Sequence, residues 1–231
     1  MDKLSEWKHV FKLDPQKTLS DHDLQLILES GTDAVIIGGT DGVTFENVSD
    51  LFDRVQPYDV PCLLEVSDIE VIAPEFDGYL IPMVLNSREK KWMLDIHHQA
   101  VKEYGDIVDW DQMVVEGYCV LNEEAKVFKH AECYLPDEED VLAYARMAEH
   151  MFHLPVFYLE YSGTYGDPEL VKKITNELQH TTVVYGGGIR SREQAEEMSA
   201  CADVIVVGNV LYEDLNAALK TVSAAKNSNF D

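Results

Sequence analysis

Two apolar runs that stop at glycine, Val183-Val-Tyr-Gly-Gly-Gly-Ile-Arg190 and Asp203-Val-Ile-Val-Val-Gly-Asn209, constrain this chain more than any other feature. Both are rich in β-branched residues and neither alternates with polar positions, the pattern of a strand buried on both faces in a parallel sheet covered by helices. One amphipathic segment separates them, so together they read as a strand, helix, strand unit. Glycines at the carboxyl ends leave backbone N–H groups uncovered by side chains, and an oxyanion such as phosphate can approach them closely. In a (β/α)8 barrel the loops after strands 7 and 8 are a frequent phosphate site, and these runs lie near the end of the chain.

The rest of the chain supplies the other strands. Candidate strands are His9 to Asp14, Asp33 to Thr40, Pro61 to Val66, Tyr79 to Leu85, Val114 to Leu121 and Pro155 to Glu160. Helical segments are predicted over Ser20 to Glu29, Val43 to Val55, Glu89 to Tyr104, Asp137 to Phe152, Asp167 to Leu178, Ser191 to Ser199 and Glu213 to Ala225. Ser191 with Gln194 has the spacing of a capping box, and Asp167-Pro168 supplies an N-cap and first helical residue. Asn122 to Leu135 reads as irregular, and Lys226 to Asp231 as a frayed tail. The sum is an α/β chain, a single (β/α)8 TIM-barrel domain over residues 1–231. At 231 residues it is short for a fold that typically takes about 250.

The weakest interval is Ser67 to Gly78, where Pro74 falls in the middle of any helix that would follow strand 3. A barrel lacking that helix has an opening in its wall, and an extended apolar ligand could use it.

Catalytic groups in such barrels come from the carboxyl ends of strands. Period two places Lys12 and Asp14 on one face of strand 1, pointing to the barrel mouth. The Thr40 hydroxyl at the end of strand 2 suits Mg²⁺ or a phosphate, and equally a turn. Tyr158 and Glu160 share a face of strand 6, and a carboxylate among aromatic and apolar neighbours at a strand end is placed for proton transfer. His97 and His98 point about 100° apart on a helix and cannot share one ion, so a structural role is expected.

With 43 acidic against 18 basic residues, the formal charge of −25 argues against nucleic acid and polybasic membrane attachment. Any anionic substrate must therefore be held by local groups. Cys62, Cys119, Cys133 and Cys201 lack metal-ligand spacing and read as reduced thiols. No apolar stretch suggests a signal or a membrane span, so a soluble cytoplasmic protein is expected.

Five segments in order, Trp7 to Pro15, Gly31 to Thr40, Tyr158-Leu-Glu-Tyr-Ser-Gly163, Tyr185-Gly-Gly-Gly-Ile189 and Val207-Gly-Asn209, resemble the geranylgeranylglyceryl phosphate synthase family. The resemblance spans nearly the whole chain and is closest to the bacterial heptaprenylglyceryl phosphate synthase branch. It implies an Mg²⁺-dependent prenyltransferase that moves a long prenyl group, heptaprenyl (C35) for this branch, from its allylic diphosphate to the 3-hydroxyl of sn-glycerol 1-phosphate, forming an ether lipid precursor. By matched positions, Lys12, Tyr158, Leu159, Glu160, Tyr161, Ser162, Gly163, Gly188, Gly208 and Asn209 would hold glycerol 1-phosphate. Asp14 and Thr40 would bind Mg²⁺. The glycerol hydroxyl must lose a proton as it attacks, and the chemistry of the strand end makes Glu160 the expected base. Family members limited to shorter tails place a Trp near the position of Ala100, so a small residue there fits a long donor. The resemblance also implies a homodimer, and a donor dissolved in membrane makes transient membrane contact an expectation.

Two other readings share the glycine-ended strands. One is another phosphate-binding TIM-barrel enzyme, an isomerase or synthase of a phosphorylated metabolite, and the other a non-catalytic carrier of phospho-metabolites or lipids. Lys12 with Asp14 and the Tyr158–Gly163 strand end argue for prenyl transfer, and the polar and titratable groups gathered at strand ends argue against a carrier, whose sign would be ligand binding without turnover.

Overall fold

The apolar runs form eight parallel strands, and the last pairs with the first. In the computed structural model, which describes residues 4–73 and 75–227, these are β1 (His9–Leu13), β2 (Ala34–Ile37), β3 (Cys62–Glu65), β4 (Gly78–Val84), β5 (Met113–Val120), β6 (Val156–Glu160), β7 (Thr182–Gly186) and β8 (Val204–Val207). Their order around the closed barrel is their order in the chain.

Because successive side chains alternate between faces, every strand feeds two cores. Val10, Ile36, Leu63, Leu80, Val156, Val184 and Val206 fill the barrel interior. Phe11, Val35, Leu64, Phe157, Leu159, Tyr185 and Ile205 pack in the layer between sheet and helices. The same alternation turns Tyr158 and Glu160 inward while Leu159 faces out.

The helices are α1 (Asp21–Leu28), α2 (Phe45–Val55), α3 (Asp95–Tyr104), α4 (Lys126–His130), α5 (Glu138–Arg146), α6 (Pro168–Glu177), α7 (Arg192–Ser199) and α8 (Leu215–Asn227). Ser20, Thr44, Asp137, Asp167 and Ser191 each accept a first-turn N–H and so start their helices where the chain must turn. After β3, only a 3-10 turn at Ile69–Val71 occurs among the described residues, as the sequence predicts; Pro74 itself lies outside them.

The wall is thin at this point. β3 pairs with β4 only through Gly78, Tyr79 and Leu80, and β4 continues to Val84 against β5 alone. Pro82 sits in that unpaired stretch, where a missing N–H breaks no ladder bond. Its carbonyl accepts from His97 Nε2 at 3.1 Å, which gives the histidine a structural task. Helix α3, which carries His97, has no fully buried residue.

Four boundaries differ from the sequence reading. The stretch expected to be irregular contains α4, five residues without a side-chain cap. The helix predicted over Glu89 to Tyr104 is a 3-10 turn at Lys90–Trp92 followed by α3. The helix predicted to reach Phe152 widens into a π turn over Met147–Met151, where buried Glu149 accepts the N–H groups of Gln179, His180 and Thr181. Lys226 is not in a frayed tail, since α8 runs to Asn227 and Lys226 Nζ lies 2.6 Å from Asp33 Oδ1. Residues 228–231 lie outside the described chain.

That ion pair belongs to a polar knot under the barrel. The buried His9 ring meets Thr32 Oγ1 at 3.0 Å and Thr221 Oγ1 at 2.9 Å, while Asp33 accepts the N–H groups of Lys8 and His9. Burial drives the His9 pKa down to about 3, against the pull of Asp33, so the ring is neutral in the folded protein.

Candidate active site

At the carboxyl ends of the strands lies a cavity of about 380 Å³. Lys12, Asp14, Thr40, Tyr158 and Glu160 line it from β1, β2 and β6. Ser162, Gly163, Gly188, Gly208 and Asn209 line it from the loops after β6, β7 and β8. Leu159 and Tyr161 do not: the Leu159 side chain is wholly buried behind the sheet, and the Tyr161 ring packs against Tyr185 with centroids 5.7 Å apart. Ala100 is half-buried on α3 and is not among the lining residues.

Glu160 is held from both sides. Tyr118 donates its hydroxyl to Oε2 at 2.6 Å, and Ser162 donates its N–H and its hydroxyl to Oε1. Ser162 reaches back only because the chain after β6 enters the left-handed region, with φ +36° at Ser162 and +80° at Gly163. A non-glycine residue there is strained, and such strain concentrates at functional sites. Asn122 fixes the hook by donating to the carbonyls of Tyr161 and Ser162.

The Tyr118 and Tyr158 rings stack with centroids 4.8 Å apart beside the carboxylate. Burial and the nearby Glu160 push both phenols well above their ordinary range, so Tyr118 remains a donor at neutral pH.

Lys12 Nζ lies 2.7 Å from both oxygens of Glu65 at the end of β3. Burial pulls its pKa down, but Glu65 and Glu160 outweigh it and the net shift is upward, so the ammonium is charged. One layer deeper, Glu116 on β5 is buried and its Oε2 has no hydrogen-bond partner. Burial, then Glu65, raise its pKa well above the carboxylate range, and the neutral acid is the favoured form.

The glycines after β7 serve packing as well as access. A Cβ on Gly186 would collide with the Tyr158 hydroxyl, on Gly187 with Tyr161, and on Gly188 with the backbone of Thr164 and Tyr165. Tyr185 clamps these loops, accepting from Gly166 N–H at 2.7 Å and donating to Gly187 carbonyl at 2.8 Å. The glycine loop after β7 and the strand 6 hook are therefore one packed unit.

Asp14 and Thr40 offer a carboxylate and a hydroxyl on one wall, with Asp14 Oδ1 packed over Gly39. No three His, Cys, Asp or Glu side chains converge on a metal position among the described residues. That donor set fits Mg²⁺, which keeps waters and is held by one or two protein oxygens together with substrate phosphates.

The sequence reading missed Glu65, Tyr118, Asn122 and Glu116. Period-two alternation along β3 and β5 would have turned Glu65, Glu116 and Tyr118 inward, the signal that was available.

An eight-stranded parallel barrel with glycine-ended β7 and β8, an interior lysine and a carboxylate held at the mouth defines a barrel enzyme for phosphorylated ligands. Comparison with known proteins narrows the class. Residues 2–226 match the PcrB family model, and the chain belongs to the PcrB family. It is 59% identical over 225 residues to the heptaprenylglyceryl phosphate synthase of Bacillus mycoides, covering 96% of this chain and 98% of that protein. It is 56% identical over 227 residues to the enzyme of the same name from Anoxybacillus flavithermus, covering 98% of each. Among solved structures, (S)-3-O-geranylgeranylglyceryl phosphate synthase from Thermoplasma acidophilum in complex with sn-glycerol-1-phosphate superposes with a TM-score of 0.85. It covers 97% of this chain at 22% identity, which establishes the shared fold.

Proposed function

We propose that this protein is a prenyltransferase that joins a heptaprenyl group from its allylic diphosphate to the 3-hydroxyl of sn-glycerol 1-phosphate. The observation that carries the reading is the triply hydrogen-bonded Glu160 facing the same cavity as Lys12, Gly188, Gly208 and Asn209. Family membership and near-full-length relatives at 56–59% identity support it.

In this reading the glycerol phosphate anion rests on the backbone after β7 and β8, with Asn209 and Lys12 beside it. The 3-hydroxyl oxygen attacks the first carbon of the prenyl chain, the bond from that carbon to diphosphate oxygen breaks with its electron pair leaving on the diphosphate, and Glu160 takes the hydroxyl proton. The Tyr158 ring, which lines the cavity and stacks on Tyr118, would shelter positive charge developing on the allylic carbons. Asp14 and Thr40 would hold Mg²⁺, which when bound neutralises charge gathering on the leaving diphosphate. The tail would leave through the thin wall between β3 and β4, with Ala100 of α3 beyond it. A homodimer in the cytoplasm, drawing its donor from the membrane surface, completes the proposal.

The test is product analysis with labelled sn-glycerol 1-phosphate, Mg²⁺ and a ladder of prenyl diphosphates, with sn-glycerol 3-phosphate as control. Labelled lipid from the 1-phosphate alone, made best with the heptaprenyl donor, is expected. Binding of glycerol 1-phosphate without product from any donor would overturn prenyl transfer.

A further inference from the structure

One ion pair spans the cavity mouth. Asp41 lies in the loop after β2, and Lys126 opens α4 after β5; Nζ and Oδ2 are 2.6 Å apart. Strands β2 and β5 are three places apart around the barrel, so the pair crosses above the ends of β3 and β4, where the wall is thin. Both residues line the cavity with Asp14 and Thr40.

The bridge is not what shapes its two loops. Gly42 carbonyl accepts from Gln16 and Asn47 side chains, and on the other side Asn122 accepts from Glu124 N–H while Lys129 pairs with Glu124. The Lys126 and Asp41 side chains are 72% and 55% exposed, and a pair that open to water contributes little to stability. Breaking it therefore costs little.

The other cavity cations are committed elsewhere. Lys12 is bound by Glu65 in the interior, Lys17 donates to Asn209 and lies over the Tyr212 ring, and Arg190 pairs with Glu213. Lys126 alone among these four comes from the β5 side, away from the glycine floor after β7 and β8. A second anion between Asp14, Thr40 and that rim meets Lys126 first.

Resting on the prenyl-transfer reading, we infer that Lys126 is a ligand of the donor diphosphate, held across the mouth by Asp41 and passed from carboxylate to phosphate oxygens as the donor binds. A diphosphate carries several negative charges where Asp41 carries one, so the exchange favours the donor. The pair thus keeps Lys126 in position over the place where the diphosphate arrives.

The test uses the full chain, titrated with inorganic pyrophosphate plus Mg²⁺ in a calorimeter, alongside initial rates against the prenyl donor. Lys126→Gln should weaken pyrophosphate binding and raise the donor KM by about tenfold, with glycerol 1-phosphate affinity within about twofold of wild type. Lys126→Arg should recover most of the loss, and Asp41→Asn should bind pyrophosphate as tightly as wild type or more so. Unchanged pyrophosphate affinity in Lys126→Gln overturns the inference, as does an equal loss in Asp41→Asn, which would make the pair a structural tie. Wild-type protein that makes no prenyl product sinks the proposed reaction instead, and the pyrophosphate titration still reads Lys126 by itself.

Discussion

Replacing Glu160 by Gln isolates the proton transfer from everything else the residue does. Gln keeps one carbonyl oxygen, which can still accept from both Ser162 donors, and presents an NH₂ group where Oε2 faced Tyr118. The Tyr118 hydroxyl then turns from donor to acceptor, so no buried polar atom loses its partner. Charge-assisted bonds become neutral ones, while a buried charge is no longer desolvated; the balance is a loss of about 1–2 kcal/mol, or a few degrees in melting temperature for a chain of this length. The base is lost altogether, and a positioned general base contributes about 10²–10⁴ in rate, equivalent to about 2.7–5.4 kcal/mol of barrier. The assay is turnover at saturating substrates beside calorimetric binding of glycerol 1-phosphate. A fall of at least about a hundredfold in kcat with affinity within about threefold is expected. A kcat within about tenfold of wild type, or a loss confined to KM, would refute the assignment.

Four further outcomes follow from the geometry. Glu116 has a folded pKa raised above its ordinary 4.5, so its contribution to stability is lost as pH rises above that value; Glu116→Gln should be more stable than wild type at pH 8 in urea unfolding, with the advantage vanishing near pH 4. His9, depressed from 6.5 to about 3, contributes stability that is present above pH 6.5 and lost as pH falls; about 2 kcal/mol should disappear between pH 7 and 5, and His9→Gln should flatten that slope in the same assay. Gly188→Ala combines φ +57° with a backbone collision and should lower both melting temperature and glycerol 1-phosphate affinity, the latter by at least about tenfold, whereas a Cβ at Gly208 meets nothing closer than Lys12 carbonyl at 3.4 Å and should leave melting unchanged. Ala100→Trp should shift the preferred donor to a shorter prenyl chain on a diphosphate ladder, and an unchanged preference would place the length stop elsewhere.

The barrel is legible in the sequence because strands buried on both faces leave continuous apolar runs, and because a strand that ends in glycine announces both its direction and its open end. The gap after β3 is legible for the same kind of reason, a Pro where a helix needs its middle. Partners were harder to see. Lys12 finds Glu65 across 53 positions and Glu160 finds Tyr118 across 42, pairings that depend on the register of strands and on which residue of each turns inward. In isolation Glu65 and Glu116 are single polar letters in apolar runs. The glycines after β7 were readable as the open end of a strand but not as the surface on which the Tyr161–Gly166 loop packs, since that contact exists only once β6 and β7 are side by side. The short helix that carries Lys126 has neither the length nor the side-chain cap that marks a helix in sequence.

The polar knot beneath the barrel also sets an order of events during synthesis. His9 is made 212 residues before Thr221, and β1 has its second neighbour only when β8 exists. At about 5–20 residues per second, the nascent first strand waits on the order of ten seconds or more with one edge open. Such long-range pairing makes closure a late and slow step. Strand β8 therefore closes the sheet and α8 fastens the first strand from below, and a ribosome that stalls before β8 leaves an unclosed sheet whose edges are the surface a chaperone must cover.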